Sequence, residues 1–213
     1  MAPASVSRSE RAALCDLFLA VGPQAPTLCA GWAADDLAAH LVVRERNPLA
    51  GPGLVMGGRA AALTERITQR AKAGRSYADL VATVRRGPPP WTAPFDSLIN
   101  TIEYFVHHED VRRGAGDLTP RPAAELAAVE TALWRSLHRG VGLMTRPLGS
   151  TGLDLVRPDG EVIHARRGTP TAILAGPPGE ITLFLTGRTG AAHVELGGPP
   201  EAVAHLRAGG FGL

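Results

Sequence analysis

The stretch TIEYFVHHEDVRRG, residues 101–114, sets Glu103, His107, His108, Glu109 and Asp110 inside an otherwise apolar, aromatic run. Buried helix faces exclude such groups unless they are paired or coordinated. Read as a helix, the stretch puts Glu103 and His107 one turn apart on the same face, with His108 rotated away by roughly 100°. A glutamate and a histidine at that spacing can give two ligands to a divalent ion in a bundle core, and the third has to come from another helix. His40 is the best candidate, because it takes an interior position beside Leu37 and Leu41. Three protein ligands, His40, Glu103 and His107, leave room for water or substrate, as catalytic metal sites do and closed structural zinc sites do not.

Plainer explanations compete. Glutamate and histidine four apart also occur as an ordinary helix side-chain pair. His108 and Glu109 read as a solvated face. Asp110, three residues after His107, returns to the ligand face, where it either orients a ligand as an outer partner or ends the helix with the neighbouring arginines. Asp36, one turn before His40, has the same two readings, orienting a ligand or capping its helix. His138, His164, His193 and His205 lack a matched partner and read as structural or exposed. Cys15 and Cys29 sit in apolar, alanine-rich contexts and read as small buried hydrophobes, with reactive thiols as the alternative. GPGLVMGG (51–58) lacks the lysine and hydroxyl of a phosphate loop, and neither a GxSxG elbow nor a cysteine-centred catalytic signature occurs.

These residues need elements to position them. Helical spacing over 7–21, with Ser7 as N-cap and Gly22-Pro23 as stop, gives a first helix; Asp35 or Asp36 caps a second that carries His40 and Arg44 and ends at Asn47-Pro48. GPGLVMGG is a loop, ALTERITQRAKAG and SYADLVATVRRG give two further helices, and PPPW (88–91) is an extended connection. The helix holding the polar cluster runs from Phe95 to Gly114, and another runs through PRPAAELAAVETALWRSLHRG to Gly140. Beyond about residue 147 the texture changes. LDLVRPDGEVIHAR reads as a hairpin about Pro158-Asp159-Gly160, TAILAG and AHVELGG as strands, PGEITLFLTGR as helix or strand, and PPEAVAHLRAGG as a terminal helix. The expected fold class is α+β: a helical bundle over 1–146, then a small α+β domain over 147–213.

The chain of 213 residues is long enough to bury a core without disulfides. A net charge of +2, with the basic residues dispersed, argues against nucleic acid as a partner. All of the basic residues but Lys72 are arginine, which reads as coding bias. Two cysteines without a CxxC pair, charges at Arg8, Glu10 and Arg11, and the lack of an 18-residue apolar run predict a reduced, cytoplasmic protein, neither secreted nor membrane-spanning.

The pattern W-x3-DLAAH at Trp32 to His40, with E-x3-H-x2-D at Glu103, His107 and Asp110, resembles the metal-binding pattern of the mycothiol-dependent maleylpyruvate isomerase-like proteins, actinobacterial members of the DinB-like four-helix metalloprotein superfamily. LFLTGR (183–188), followed by a strand and a helix, is similar to the small sterol-carrier-like domain many of these proteins append. The resemblance covers nearly the whole chain. It implies a DinB-like four-helix bundle in which His40, Glu103 and His107 bind a divalent ion, usually zinc, and mycothiol or a similar small thiol binds near it as cosubstrate. Glu109 departs from the family, which commonly has an aromatic or apolar residue there. No motif places the arginines that hold thiol or substrate; Arg44 and Arg188 are the candidates.

The leading expectation is thus a metal- and thiol-dependent transferase or isomerase acting on a small electrophile. A second is a non-catalytic metal-binding sensor or accessory protein, its metal closed by a fourth ligand such as Asp110 or His108. A third is a carrier holding an apolar ligand in an enclosed cavity of the C-terminal domain. Imidazole and carboxylate suit zinc but also nickel, iron or manganese.

Overall fold

The computed structural model describes residues 5–46, 58–89 and 96–211; all of the GPGLVMGG reading but Gly58, the Pro90-Trp91 half of PPPW, Asn47-Pro48 and Phe95 lie outside these. The described residues form eight α-helices and one four-stranded mixed sheet, an α+β architecture. They divide into two compact units, Met1–Asp117 and Leu118–Leu213.

The first unit holds α1 (Val6–Val21), α2 (Ala34–Arg46), α3 (Gly58–Ala73), α4 (Tyr77–Arg86) and α5 (Asp96–Arg113). Helix α1 starts earlier than the sequence reading set it: Ser5, not Ser7, accepts from the Arg8 N–H, and Ser7 is buried inside the first turn. At α2, Asp36 takes the reciprocal arm of a capping box, accepting the Ala33 N–H at 3.1 Å. Helix α1 packs on α4 and α5, and α2 on α3 and α4. Leu14, Phe18, Leu37, Leu41 and Leu80 meet in the core with essentially no exposure. Each such side chain contributes about 1.5–3 kcal/mol by leaving water.

The second unit begins with α6 (Ala123–Met144), which the sequence reading assigned to the bundle. This helix packs on α7 and β2, and Trp134, Leu137 and Val141 enter the second core, which draws it into this unit. It also runs past the expected stop at Gly140, because one more turn carries Val141 into that core. A 3-10 turn (Arg146–Leu148) leads to β1 (Gly152–Val156), β2 (Val162–Arg166), β3 (Thr171–Ala175), α7 (Pro178–Leu185), β4 (Glu195–Gly197) and α8 (Pro200–Ala208). The sheet order is β2-β1-β3-β4, with β1 and β3 parallel and the outer pairs antiparallel. The β1–β2 hairpin closes at Gly160, whose φ of +88° is one that glycine adopts without steric cost. The ambiguous PGEITLFL run is a helix buried along its entire length, and a helix enclosed on every side shows no polar face to reveal its period.

Candidate metal centre

Helices α2 and α5 supply the site. His40 and Arg44 lie one turn apart on α2, and Glu103, His107 and Asp110 follow one another along α5. Glu103 Oε1 is the hub. It lies 3.1 Å from His107 Nε2, 3.6 Å from His40 Nε2 and 3.0 Å from Arg44 Nε. The structure therefore brings His40, Glu103 and His107 together, with potential ligand atoms all within 4.8 Å of one another. A tetrahedral ion with ligands at about 2.1 Å sets its donors about 3.4 Å apart, so separations of 3.1 and 3.6 Å suit a single ion. Two imidazoles and one carboxylate are also a donor set that divalent transition ions accept.

Burial and charge set the protonation of the three. Burial holds the His40 imidazole below its ordinary pKa, so it is neutral, the form that ligates. Burial opposes ionisation of Glu103, but Arg44 and the two histidines outweigh it and hold the carboxyl well below the usual carboxylate range. Burial likewise opposes charging of His107, and its bonds to Asp110, Cys29 and Glu103 prevail, raising it well above an ordinary histidine. A proton on His107 thus stands where an ion would bind.

Around this centre, Asp110 is fully buried and meets His107 Nδ1 at 2.8 Å, the ring nitrogen away from Glu103. That bond fixes the ring and its tautomer, as a carboxylate behind a metal-ligating histidine does. Trp32 stacks obliquely on His40, with ring centroids 5.0 Å apart. Cys29 donates its thiol to Asp110 Oδ2 at 3.2 Å, a contact hidden from sequence reasoning because 81 residues separate the two. The Leu28 N–H donates to the Asp110 carbonyl, and Gly114 lies so close to this segment that a Cβ there would come within 2.1 Å of the Pro26 carbonyl oxygen.

His108 and Glu109 are not on a solvated face. His108 meets Glu10 of α1 at 3.2 Å, and Glu109, 1% exposed, is bound by Arg112 and by Arg113 at 2.6 Å. The reason is that residues 104–111 are buried on every side, with Tyr104 bonded to Glu45 and covered by the Arg11 guanidinium. Asp36 pairs with Lys72 at 2.6 Å as well as capping α2. Arg44 is engaged by Glu103 and by Asn100 Oδ1 at 2.7 Å. Arg188 lies in the second unit, where Nη1 donates to the Thr186 carbonyl. His164 and His205 bond Asp154 and Thr151.

A helical unit joined to a small α+β unit defines the fold class. Two crystal structures share that fold over 90% of this chain and 90% of theirs: the mycothiol-dependent maleylpyruvate isomerase, with a TM-score of 0.52, and a mutant of it, with 0.55, each 14% identical. No protein-family model matches the sequence, and no curated protein matches it. Among the described residues, no helix is long and apolar enough to cross a membrane.

Proposed function

We propose that the first unit is a DinB-like bundle in which His40, Glu103 and His107 hold one divalent ion, zinc being the best fit. We propose further that the chain is a transferase or isomerase depending on that ion and on a small thiol such as mycothiol. The observation that carries this reading is the convergence of three ligand-type side chains from two helices at ion-compatible separations. Neither residue expected to close the metal in a structural site joins them: Asp110 lies at the opposite ring nitrogen and His108 is bonded to Glu10.

A bound ion would supply a Lewis acid that lowers the pKa of a thiol beside it. The residues provide the setting. Neutral His40 and ionised Glu103 are ready to ligate, Asp110 keeps His107 in register, and Arg44 holds the Glu103 carboxylate in place. The reaction class served is addition of a thiol to a small electrophile, giving transfer when the thiol stays and isomerisation when it leaves. Fold likeness to a mycothiol-dependent isomerase supports the choice of thiol and reaction class.

A non-catalytic metal-binding role is the second reading, favoured by one observation: Arg44, the candidate clamp for an acidic substrate, is already engaged by Glu103 and Asn100. The carrier reading has less support. A cleft of about 500 Å3 in the second unit is open and includes Arg157, His193 and Glu195 in its walls, unlike an enclosed apolar cavity.

Metal analysis of purified wild type and His40→Ala, side by side, tests the proposal. About one zinc per chain in the wild type, lost in the variant, is expected and leads to assays of thiol transfer. Equal zinc in both proteins, and again when each also carries Cys29→Ser, would refute the assignment.

A further inference from the structure

His107 faces a second set of donors at its other ring nitrogen. The potential ligand atoms of Cys29, His107 and Asp110 also lie within 4.8 Å of one another. Both the Cys29 thiol, at 3.2 Å, and His107 Nδ1, at 2.8 Å, point to the same buried oxygen, Asp110 Oδ2. Local structure fixes the sulfur there. The Cys29 N–H donates to Thr27 Oγ1 at 3.1 Å, Thr27 Oγ1 donates to the Trp32 carbonyl at 2.8 Å, and the Leu28 N–H holds the Asp110 carbonyl at 3.0 Å. Two protons, one on sulfur and one on nitrogen, thus converge on one carboxylate oxygen, and a divalent cation can replace both with no change in net charge.

We propose that Cys29, Asp110 and His107 Nδ1 form a second divalent-cation site, selective for thiophilic ions, that competes with the His40–Glu103–His107 site for the one imidazole. A neutral imidazole has one lone pair to give. With an ion at Nδ1 the ring proton sits on Nε2, where Glu103 Oε1 accepts it at 3.1 Å; with an ion at Nε2 the proton sits on Nδ1, where Asp110 accepts it at 2.8 Å. Each tautomer finds a carboxylate in place. Filling both sites would demand an imidazolate, so the chain holds one ion at a time. A thiolate donor favours softer ions than two imidazoles and a carboxylate do, so ion softness decides which site fills. The competition rests on the metal reading of the first site, whereas the thiolate site stands by itself.

The test titrates reduced, metal-free, full-length protein with cadmium, following the ultraviolet sulfur-to-cadmium charge-transfer absorption. Wild type, Cys29→Ser and His40→Ala are compared, each with its zinc content after loading. Serine keeps a donor toward Asp110, so the Cys29→Ser protein folds, as its circular dichroism will verify. The absorption is expected to saturate at one cadmium per chain in wild type and His40→Ala and to vanish in Cys29→Ser, which still takes up zinc. Its absence from wild type, or its survival in Cys29→Ser, overturns the thiolate site. Zinc and cadmium held together on one chain overturn the competition. Failure of zinc to bind any of the three, with the cadmium absorption intact, removes the first site and the competition together while upholding the thiolate site.

Discussion

Loading of the first site is expected to depend on pH through His107. In the ion-free protein this ring lies between two carboxylates, Asp110 at 2.8 Å from Nδ1 and Glu103 at 3.1 Å from Nε2, and its pKa is well above that of an ordinary histidine. Proton and ion compete for Nε2. Affinity therefore rises with pH until the raised pKa is passed and is flat above it. His40, with its pKa lowered, carries no proton near neutrality and does not steepen the slope. One displaced proton gives a gain in affinity of up to about tenfold per pH unit, about 1.4 kcal/mol, so zinc should tighten steadily as pH rises toward the raised pKa. Competition against a zinc chelator of known pH dependence measures the slope, and calorimetry in two buffers of different ionisation enthalpy counts the protons released. Asp110→Asn removes the charge on Nδ1, so its slope should flatten over the same range, while affinity at high pH falls by about 10–100-fold because the ring is held less well. A wild-type affinity independent of pH, with no proton released, would sink both the ligand role of His107 and the account of its charge.

The remaining expectations concern the two buried polar groups outside the donor set. Burial pushes the Cys15 thiol up to about 11, so at pH 8 only about a thousandth of it is thiolate; a maleimide should label one cysteine per folded chain, Cys29, and both once the chain is unfolded, and two equally fast thiols in the folded protein would contradict this. Glu109→Ala removes the buried carboxylate that Arg113, 1% exposed, meets at 2.6 Å, and should cost about 3–5 kcal/mol in chemical denaturation. Replacing both partners with apolar residues should restore much of that loss, and an unshifted denaturation midpoint in the single variant would show that the pair is not what stabilises α5.

Helix positions and the His-Glu-His group were legible because their signals are local or periodic. Glu103 and His107 share a face by spacing, His40 sits within an apolar helical stripe, and the proline, aspartate and glycine of the hairpin state their own turn chemistry. His108 and Glu109 misled because residues 104–111 of α5 are buried on every side, and a stretch with no solvated face carries no amphipathic period to separate inside from outside. The partner of His108, Glu10, is visible only in the folded chain, and the spacing of Glu109 to Arg112 and Arg113 reads equally well as an ion pair on a solvated face. Cys29 was invisible for the same reason: its partner lies 81 residues away, and nothing in its alanine-rich surroundings announces a polar neighbour. The extent of the first unit also escaped, because the periodicity of α6 reports that it has a buried face but not which core that face joins.

Gly114 has a consequence for how the protein tolerates change. It bears no chemistry, yet any side chain there would drive into the Pro26 carbonyl and displace the segment carrying Thr27 and Cys29. In a saturation library screened for metal retention, position 114 should therefore be as intolerant as the ligands themselves. A residue absent from every candidate list would stand beside His40 and His107 in the selection data, marked only by the hydrogen that nothing else can replace.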